Sequence, residues 1–192
     1  MQFKEICTYN ADALIHFAAM VNVDECEKNP SRCYKINVEG SEKVFKAAVK
    51  AKIKRFVYVS TSHVYSIKQN SLPLDVNAKT DPKSIYAKSK LLAENRLITL
   101  SNNYPDTKLS IARVFSVLSN LRRKGFLLTR IHEMAKTKKF EPIKGLKNVR
   151  DFLWANEVCK KILQLCHSKS FPPKVNICSG KAKNIESLVK EV

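Results

Sequence analysis

The chain has 192 residues, 44% of them hydrophobic, which is room for one domain or slightly more with a buried core. Its 35 Lys and Arg against 17 Asp and Glu leave a formal net charge of +18. The lysines are spread through the whole chain with no aromatic-interleaved block, so the charge implies diffuse attraction to anions and no nucleic-acid partner. No apolar run reaches membrane-spanning length and no signal peptide is recognisable, so the reading is a cytoplasmic protein with no membrane partner. Six cysteines (Cys7, Cys26, Cys33, Cys159, Cys166, Cys178) form no Cys-x-x-Cys pair, and no His stands at zinc-ligand spacing from two of them. They read as reduced, mostly core thiols, and no metal site is expected.

In chain order, residues 12 to 19 form a short apolar run that predicts a buried strand. Residues 20 to 33 are polar, a loop or short helix. From Tyr34 to Lys52 the apolar residues recur at helical spacing, with lysines outside. Arg55 to Ser60 is a second, β-branched strand. Residues 61 to 83 contain Pro73 and Pro82 and read as a long, functional loop. A helix follows over 84–103, with Ile85, Ala87, Leu91, Leu92, Ala93, Leu97 and Leu100 on its apolar side and Tyr86 and Lys90 beside that stripe. Lys108 to Val114 is a third strand and Gly125 to Lys136 a helix. Phe140 to Ile143 and Arg150 to Trp154 are short strands, 156–168 a helix and Lys174 to Cys178 a strand. Asn184 then caps a last helix carrying Glu186 in its first turn. Strands that are apolar throughout, alternating with helices, predict an α/β fold with a parallel sheet covered on both faces.

In such a sheet ligands bind outside the carboxyl ends of the strands. Three ends are identifiable: Ala18-Ala19, small enough for close approach; the hydroxyl-rich Ser60-Thr61-Ser62-His63; and Arg113-Val114-Phe115-Ser116. The helix bearing Tyr86 starts at the same edge. Tyr86 and Lys90 are four apart and share a helix face. A solvated helix face gives such a pair by chance; as a site, the ammonium would lower the phenol's pKa and suit it to proton transfer. A hydroxyl polarising a carbonyl beside that phenol makes carbonyl–alcohol interconversion the natural chemistry.

Several motifs in order then resemble the extended short-chain dehydrogenase/reductase family, the NAD-dependent nucleotide-sugar epimerases and dehydratases. They are Asp12-Ala-Leu-Ile-His-Phe-Ala-Ala19, Asn37-Val-Glu-Gly-Ser41, Val57-Tyr-Val-Ser-Thr-Ser-His-Val-Tyr65, and Tyr86-x-x-x-Lys90. Ile111-Ala-Arg-Val-Phe-Ser116, Arg150-Asp-Phe152 and Val175-Asn-Ile-Cys-Ser-Gly180 complete the set. The resemblance implies a partial Rossmann-like sheet plus a small C-terminal substrate-binding part. Residues 1–115 would be the rear half of a dinucleotide-binding domain and 116–192 a partial substrate-binding region. It implies NAD or NADP as cofactor, held by Ala18, Ala19, Asn37, Ser60, Tyr86 and Lys90. It implies a nucleotide-diphosphate sugar as substrate, met by Ser62, His63, Ser116 and Arg150. Catalysis would fall to Tyr86 as base, Lys90 as its tuner and Thr61 as a hydrogen-bond partner of the reacting oxygen.

Two departures shape the expectation. The four glycines, Gly40, Gly125, Gly145 and Gly180, make no Gly-x-Gly-x-x-Gly turn, so a chain truncated or split at its front is expected, and short at its end. Ser62 and His63 stand where a 4,6-dehydratase carries an acidic pair. The expected activity is therefore sugar epimerisation, with keto-sugar reduction as the alternative and a non-catalytic remnant or interaction module as the rival. A homodimer or a complementing N-terminal fragment is the implied protein partner.

Overall fold

A computed structural model describes residues 6, 10–66, 73–119, 127–139, 142 and 147–191. Two compact units are present: Met1–Val114 with Ile162–Asn176, and Phe115–Lys161 with Ile177–Val192. The first holds a four-stranded sheet in the order β1-β2-β3-β6, from β1 (Ala13–His16), β2 (Arg55–Thr61), β3 (Lys108–Val114) and β6 (Lys174–Ile177). β1 runs parallel to β2 and β2 to β3, with Ala13 opposite Arg55 and Arg55 opposite Lys108. The parallel α/β sheet expected from the sequence is therefore present.

Helices α1 (Val23–Lys28) and α2 (Pro30–Tyr34) occupy the polar stretch after β1. Asn22 accepts a hydrogen bond from the Glu25 N–H at 3.0 Å to cap α1, and Pro30 opens α2 where its missing N–H is harmless. A π-turn over Lys35–Glu39 leads into α3 (Gly40–Lys50). The long stretch after β2 is shorter as a free loop than it looked. It begins with a 3-10 turn (Ser62–Val64) and folds back through a Tyr65–Thr80 bridge. Then comes α4 (Ile85–Ser101), capped twice: Ser84 Oγ accepts from the Ala87 N–H at 3.1 Å and Glu27 Oε1 from the Ile85 N–H at 2.7 Å.

Strand alternation builds the core. Phe56 and Tyr58 of β2 and Ile111 of β3 pack with Val38, Phe45, Ala48, Ile53, Ala93 and Leu97 beneath α3 and α4. Phe45 meets Phe56 edge-on at 5.1 Å. Arg55 at the start of β2 donates to the Cys166 carbonyl and, at 2.9 Å, to the Ser168 carbonyl, joining the strand to the carboxyl end of α6 (Ala155–His167).

The second unit carries β4 (Ser116–Leu118) parallel to β5 (Val149–Trp154), and β7 (Ala182–Asn184) antiparallel to β5. With them are α5 (Leu127–Thr137) and α7 (Ile185–Glu191), the latter capped by Asn184, whose side chain accepts from the Ser187 N–H at 2.7 Å. The strand expected over Phe140 to Ile143, and residues 125 and 126 of the expected helix, lie outside the described residues apart from position 142. Among the described residues no helix is long and apolar enough to cross a membrane. No group of three His, Cys, Asp or Glu there could hold a metal ion.

Candidate active site

On the face of the sheet beneath α3 and α4, each of the first three strands changes character along its length. Leu14, Phe56 and Ile111 are apolar; two to four residues on, at the carboxyl end, stand His16, Ser60 and Arg113. All three are buried. α4 faces these strands with buried Lys90 and Glu94 one turn apart, Ala93 between them and Leu97 beyond. Lys90 is thus inside the packed stripe rather than beside it, and Leu92, read as core, is 37% exposed.

Tyr86 sits in the first turn of α4, where the helix dipole favours negative charge. Its ring packs with Met20, Cys26 and Cys33. His63, exposed on the 3-10 turn, meets that ring edge-on at 6.3 Å. Burial pushes the Tyr86 phenol above its ordinary pKa, and the neighbouring Thr61 hydroxyl opposes that rise. Thr61 accepts from the His63 N–H at 3.2 Å and so caps the turn. The lowering expected from Lys90 is not seen. The reason is where its ammonium goes: it donates to the Val59 carbonyl at 2.6 Å and lies 4.0 Å from the centre of the Tyr58 ring.

Lys90 is 2% exposed, and burial lowers its pKa to about 7 against an upward pull from Glu94. His16, buried beside it, is lowered to about 4, first by burial and then by the Lys90 charge, and is neutral at pH 7. Its Nε2 lies 3.0 Å from Ser41 Oγ.

The Lys90 shift has a consequence for stability. The unfolded chain keeps its proton up to about 10.5 and the folded chain releases it near 7. Between those values the unfolded state binds more protons, so stability rises with pH across that window. Lys90→Met is accordingly expected to be more stable than the native chain at pH 7, by a margin that shrinks as pH rises toward 10. Urea denaturation of both proteins at several pH values measures it; a variant less stable at pH 7 would contradict the assignment of Lys90 as a destabilising buried amine.

The other expected site residues divide. Ala18 is exposed and Ala19 half-buried just past β1, open to a ligand. Asn37 is fully buried: its side chain accepts from the Met20 N–H at 2.7 Å and donates to the Met20 carbonyl at 3.0 Å and Ser89 Oγ at 2.9 Å. It holds the turn after β1 against α4 and presents no group to solvent. Ser60 is buried and donates to Glu94 Oε1. Ser62 is half-buried at the head of the turn. Ser60, Thr61, Tyr86 and Lys90 thus share the carboxyl edge of the first unit's sheet. Ser116 and Arg150 belong to the second unit. Ser116 opens β4 opposite Phe152, and half-buried Arg150 donates to the Val149 carbonyl at 2.8 Å.

Three residues that matter were missed. Glu94 and Arg113 form a buried ion pair, 2.6 Å between Oε2 and Nη2. Asp151, next to Arg150, accepts from the Ser179 N–H at 2.8 Å and the Gly180 N–H at 2.7 Å. Gly180 has φ of 78°, which suits glycine there.

The donor set fits the nicotinamide–ribose end of a dinucleotide. Lys90 offers a buried ammonium with one hydrogen-bond acceptor among the described residues, Tyr86 a phenol, and Ala18 and Ala19 a low wall. The sequence holds no Gly-x-Gly-x-x-Gly turn of the kind that receives a pyrophosphate.

A family model described as "NAD dependent epimerase/dehydratase family" matches residues 2–178. Over 189 residues the chain is 26% identical to GDP-6-deoxy-D-mannose reductase of Pseudomonas aeruginosa, covering 93% of this chain and 61% of that protein. Over 85 residues it is 38% identical to UDP-glucose 4-epimerase of Rhizobium meliloti, covering 44% of this chain and 26% of that one. Among solved structures, UDP-N-acetylglucosamine 4-epimerase from Methanobrevibacter ruminantium M1 in complex with UDP-N-acetylmuramic acid has a TM-score of 0.89 at 23% identity. That match covers 99% of this chain and 62% of the other. RMD from Pseudomonas aeruginosa complexed with NADPH has a TM-score of 0.82 at 25% identity, covering 93% of this chain and 63% of the other.

Proposed function

The chain belongs to the NAD dependent epimerase/dehydratase family, and from that premise we propose that it serves the epimerisation of a nucleotide-diphosphate sugar through a transient keto-sugar. The observation that carries the proposal is the cluster of Thr61, Tyr86 and Lys90 at one sheet edge, with the Thr61 hydroxyl near enough to the Tyr86 phenol to act on its titration. NAD or NADP, when bound, would supply a reversible hydride acceptor. Lys90 and Tyr86 would hold its ribose hydroxyls, and Ala18 and Ala19 would line its path. Asn37 and Ser60 act from beneath, by fixing the loop after β1 and the Glu94 carboxylate.

Each chemical event then has a residue. For oxidation the Tyr86 phenol would first release its own proton and then take the O–H proton of the sugar hydroxyl, leaving a ketone once the carbon's hydride is accepted. Thr61 Oγ donates to the oxygen that becomes the carbonyl. In the reverse direction Tyr86 would give the proton back to the carbonyl oxygen, and a ketone presented by its other face would leave the centre inverted. Ser62 and His63 border the sugar. Arg150, with guanidinium donors left over from Val149, binds the diphosphate, and Ser116 accompanies it in the second unit. Residues to 115 carry proton transfer in this reading and 116–192 hold the nucleotide sugar.

A second reading, reduction of a keto-sugar, is favoured by the likeness to GDP-6-deoxy-D-mannose reductase along 93% of the chain. It is also favoured by a Tyr86 that burial keeps protonated, ready to donate. The activity is proposed for a chain that spans about six tenths of that reductase. The test is incubation with NAD or NADP and with UDP- and GDP-sugars, followed by product analysis. An epimer formed without net cofactor use supports the first reading. A reduced sugar formed with NADPH consumption supports the second, and neither product under any pairing would sink both.

A further inference from the structure

Glu94 lies one turn beyond Lys90 on α4, as Lys90 lies one turn beyond Tyr86. It is 1% exposed, and a carboxylate so placed needs partners. Arg113 Nε donates to Oε1 at 3.1 Å and to Oε2 at 3.2 Å, Nη2 to Oε2 at 2.6 Å, and Ser60 Oγ to Oε1. Arg113 is fixed in turn. Its Nη1 donates to the Val76 carbonyl at 3.1 Å and its guanidinium lies 4.8 Å from the Tyr65 ring centre. Tyr65 then donates to Asn176 Oδ1 at 2.6 Å. The carboxylate is therefore held from β2 and β3, and its anchor from the turn after β2 and from β6.

Among the described residues, Lys90, Glu94 and Arg113 are the buried members of the Lys, Arg, Asp and Glu set, and they stand together. Lys90 is faced by His16 from β1, the Tyr58 ring and Val59 carbonyl from β2, and Cys33 from α2. Tyr86 and Glu94 face it from its own helix, and Arg113 of β3 stands behind Glu94. His16 is neutral, Cys33 is a thiol hydrogen-bonded with Ser89 at 3.4 Å, and Tyr86 is protonated. Glu94 is the negative charge in this set.

We propose that Glu94 is a positioning residue for Lys90: anchored on Arg113 and Ser60, its carboxylate keeps the buried Lys90 a cation at the ligand-facing edge of the sheet. The inference rests on the reading that Lys90 holds the cofactor ribose. It explains why a helix otherwise packed on an apolar core buries two charges in succession. The Lys90 shift to about 7 agrees with it: burial alone would take the amine lower, and Glu94 opposes that.

The test reads Lys90 itself. Lysine carbons labelled at Cε are titrated by NMR in the native chain, with Lys90→Met identifying the signal. In Glu94→Gln the Lys90 titration is expected to move down by about one unit or more, a tenfold loss of proton affinity. Because Glu94→Gln leaves Arg113 buried without its counter-charge, Glu94→Gln with Arg113→Met is measured beside it. That pair removes the carboxylate without stranding the guanidinium, and a downward shift smaller than in Glu94→Gln is expected, since a nearby cation is lost with the anion. Glu94→Asp, which keeps the charge, should restore a titration close to native. An unmoved Lys90 titration in the folded double variant overturns the inference. NAD(H) affinity at pH 6.5, where native Lys90 is mostly a cation and the variant's is not, separates it from the functional reading. A shifted titration with unchanged affinity leaves Glu94 as the positioning residue and removes Lys90 from the cofactor site.

Discussion

Tyr86→Phe is expected to lower turnover by about a hundred- to ten-thousand-fold, the range a positioned acid–base group contributes. The substitution removes one oxygen and keeps the ring. That ring packs with Met20, Cys26 and Cys33, so packing is retained. Thr61 keeps its bond to the His63 N–H, which leaves the fold nearly as stable as before. The effect should therefore appear in kcat with little change in unfolding midpoint. Thr61→Val should give a smaller loss, since the phenol keeps its helix dipole and position while the reacting oxygen loses one donor. Steady-state kinetics beside chemical denaturation distinguish the two effects. Turnover unchanged in Tyr86→Phe would remove the phenol from the mechanism.

The largest effect on stability is expected elsewhere. Arg113→Ala leaves Glu94 buried, 1% exposed, with Ser60 as its remaining hydrogen-bond partner in the pair's place. Removing one member of such a pair typically costs about 3–5 kcal/mol, a large part of a domain's total. It also frees the Val76 carbonyl and takes away the cation stacked on Tyr65. Replacing both members, Glu94→Gln with Arg113→Met, should recover much of the loss, because neither member of the pair is left charged without the other. Urea unfolding of the single and double variants, with coincident fluorescence and circular dichroism, measures this. A single variant as stable as the native chain would mean that water reaches the carboxylate.

The frame of the fold could be read because its strands are apolar on both faces and its helices are bounded by chemistry that acts locally. β3 was placed over its full length, and Ser84 and Asn184 stand at the caps they were suited to. β4 and β7 escaped notice since three residues each carry no measurable period. The error on α4 is more instructive. Periodicity counts charges as solvent-facing, yet Lys90 and Glu94 are buried and Leu92 is not. Pairing gives the reason, and pairing joins residues far apart in sequence, 19 positions for Glu94 and Arg113. A signal was available in retrospect: an arginine inside the apolar run Ile111-Ala-Arg-Val-Phe115 must have a partner. The site residues are proposed from the resemblance of ordered motifs, which carries no account of how their side chains are held. Asn37, expected at the cofactor, clamps the loop after β1. Lys90, expected beside the apolar stripe as a tuner of Tyr86, is a desolvated amine within it.

The central claim is that hydride leaves the sugar carbon while Tyr86 takes the proton. The direct measurement is a single-turnover mixing of the chain, NAD or NADP and a nucleotide-diphosphate sugar deuterated at the reacting carbon, followed through reduced-nicotinamide fluorescence. The account predicts a transient rise in that fluorescence, slowed by the deuterium and again by Tyr86→Phe, with deuterium retained in the epimer. Epimer formed with deuterium lost to solvent, and no reduced nicotinamide at any time, would contradict it.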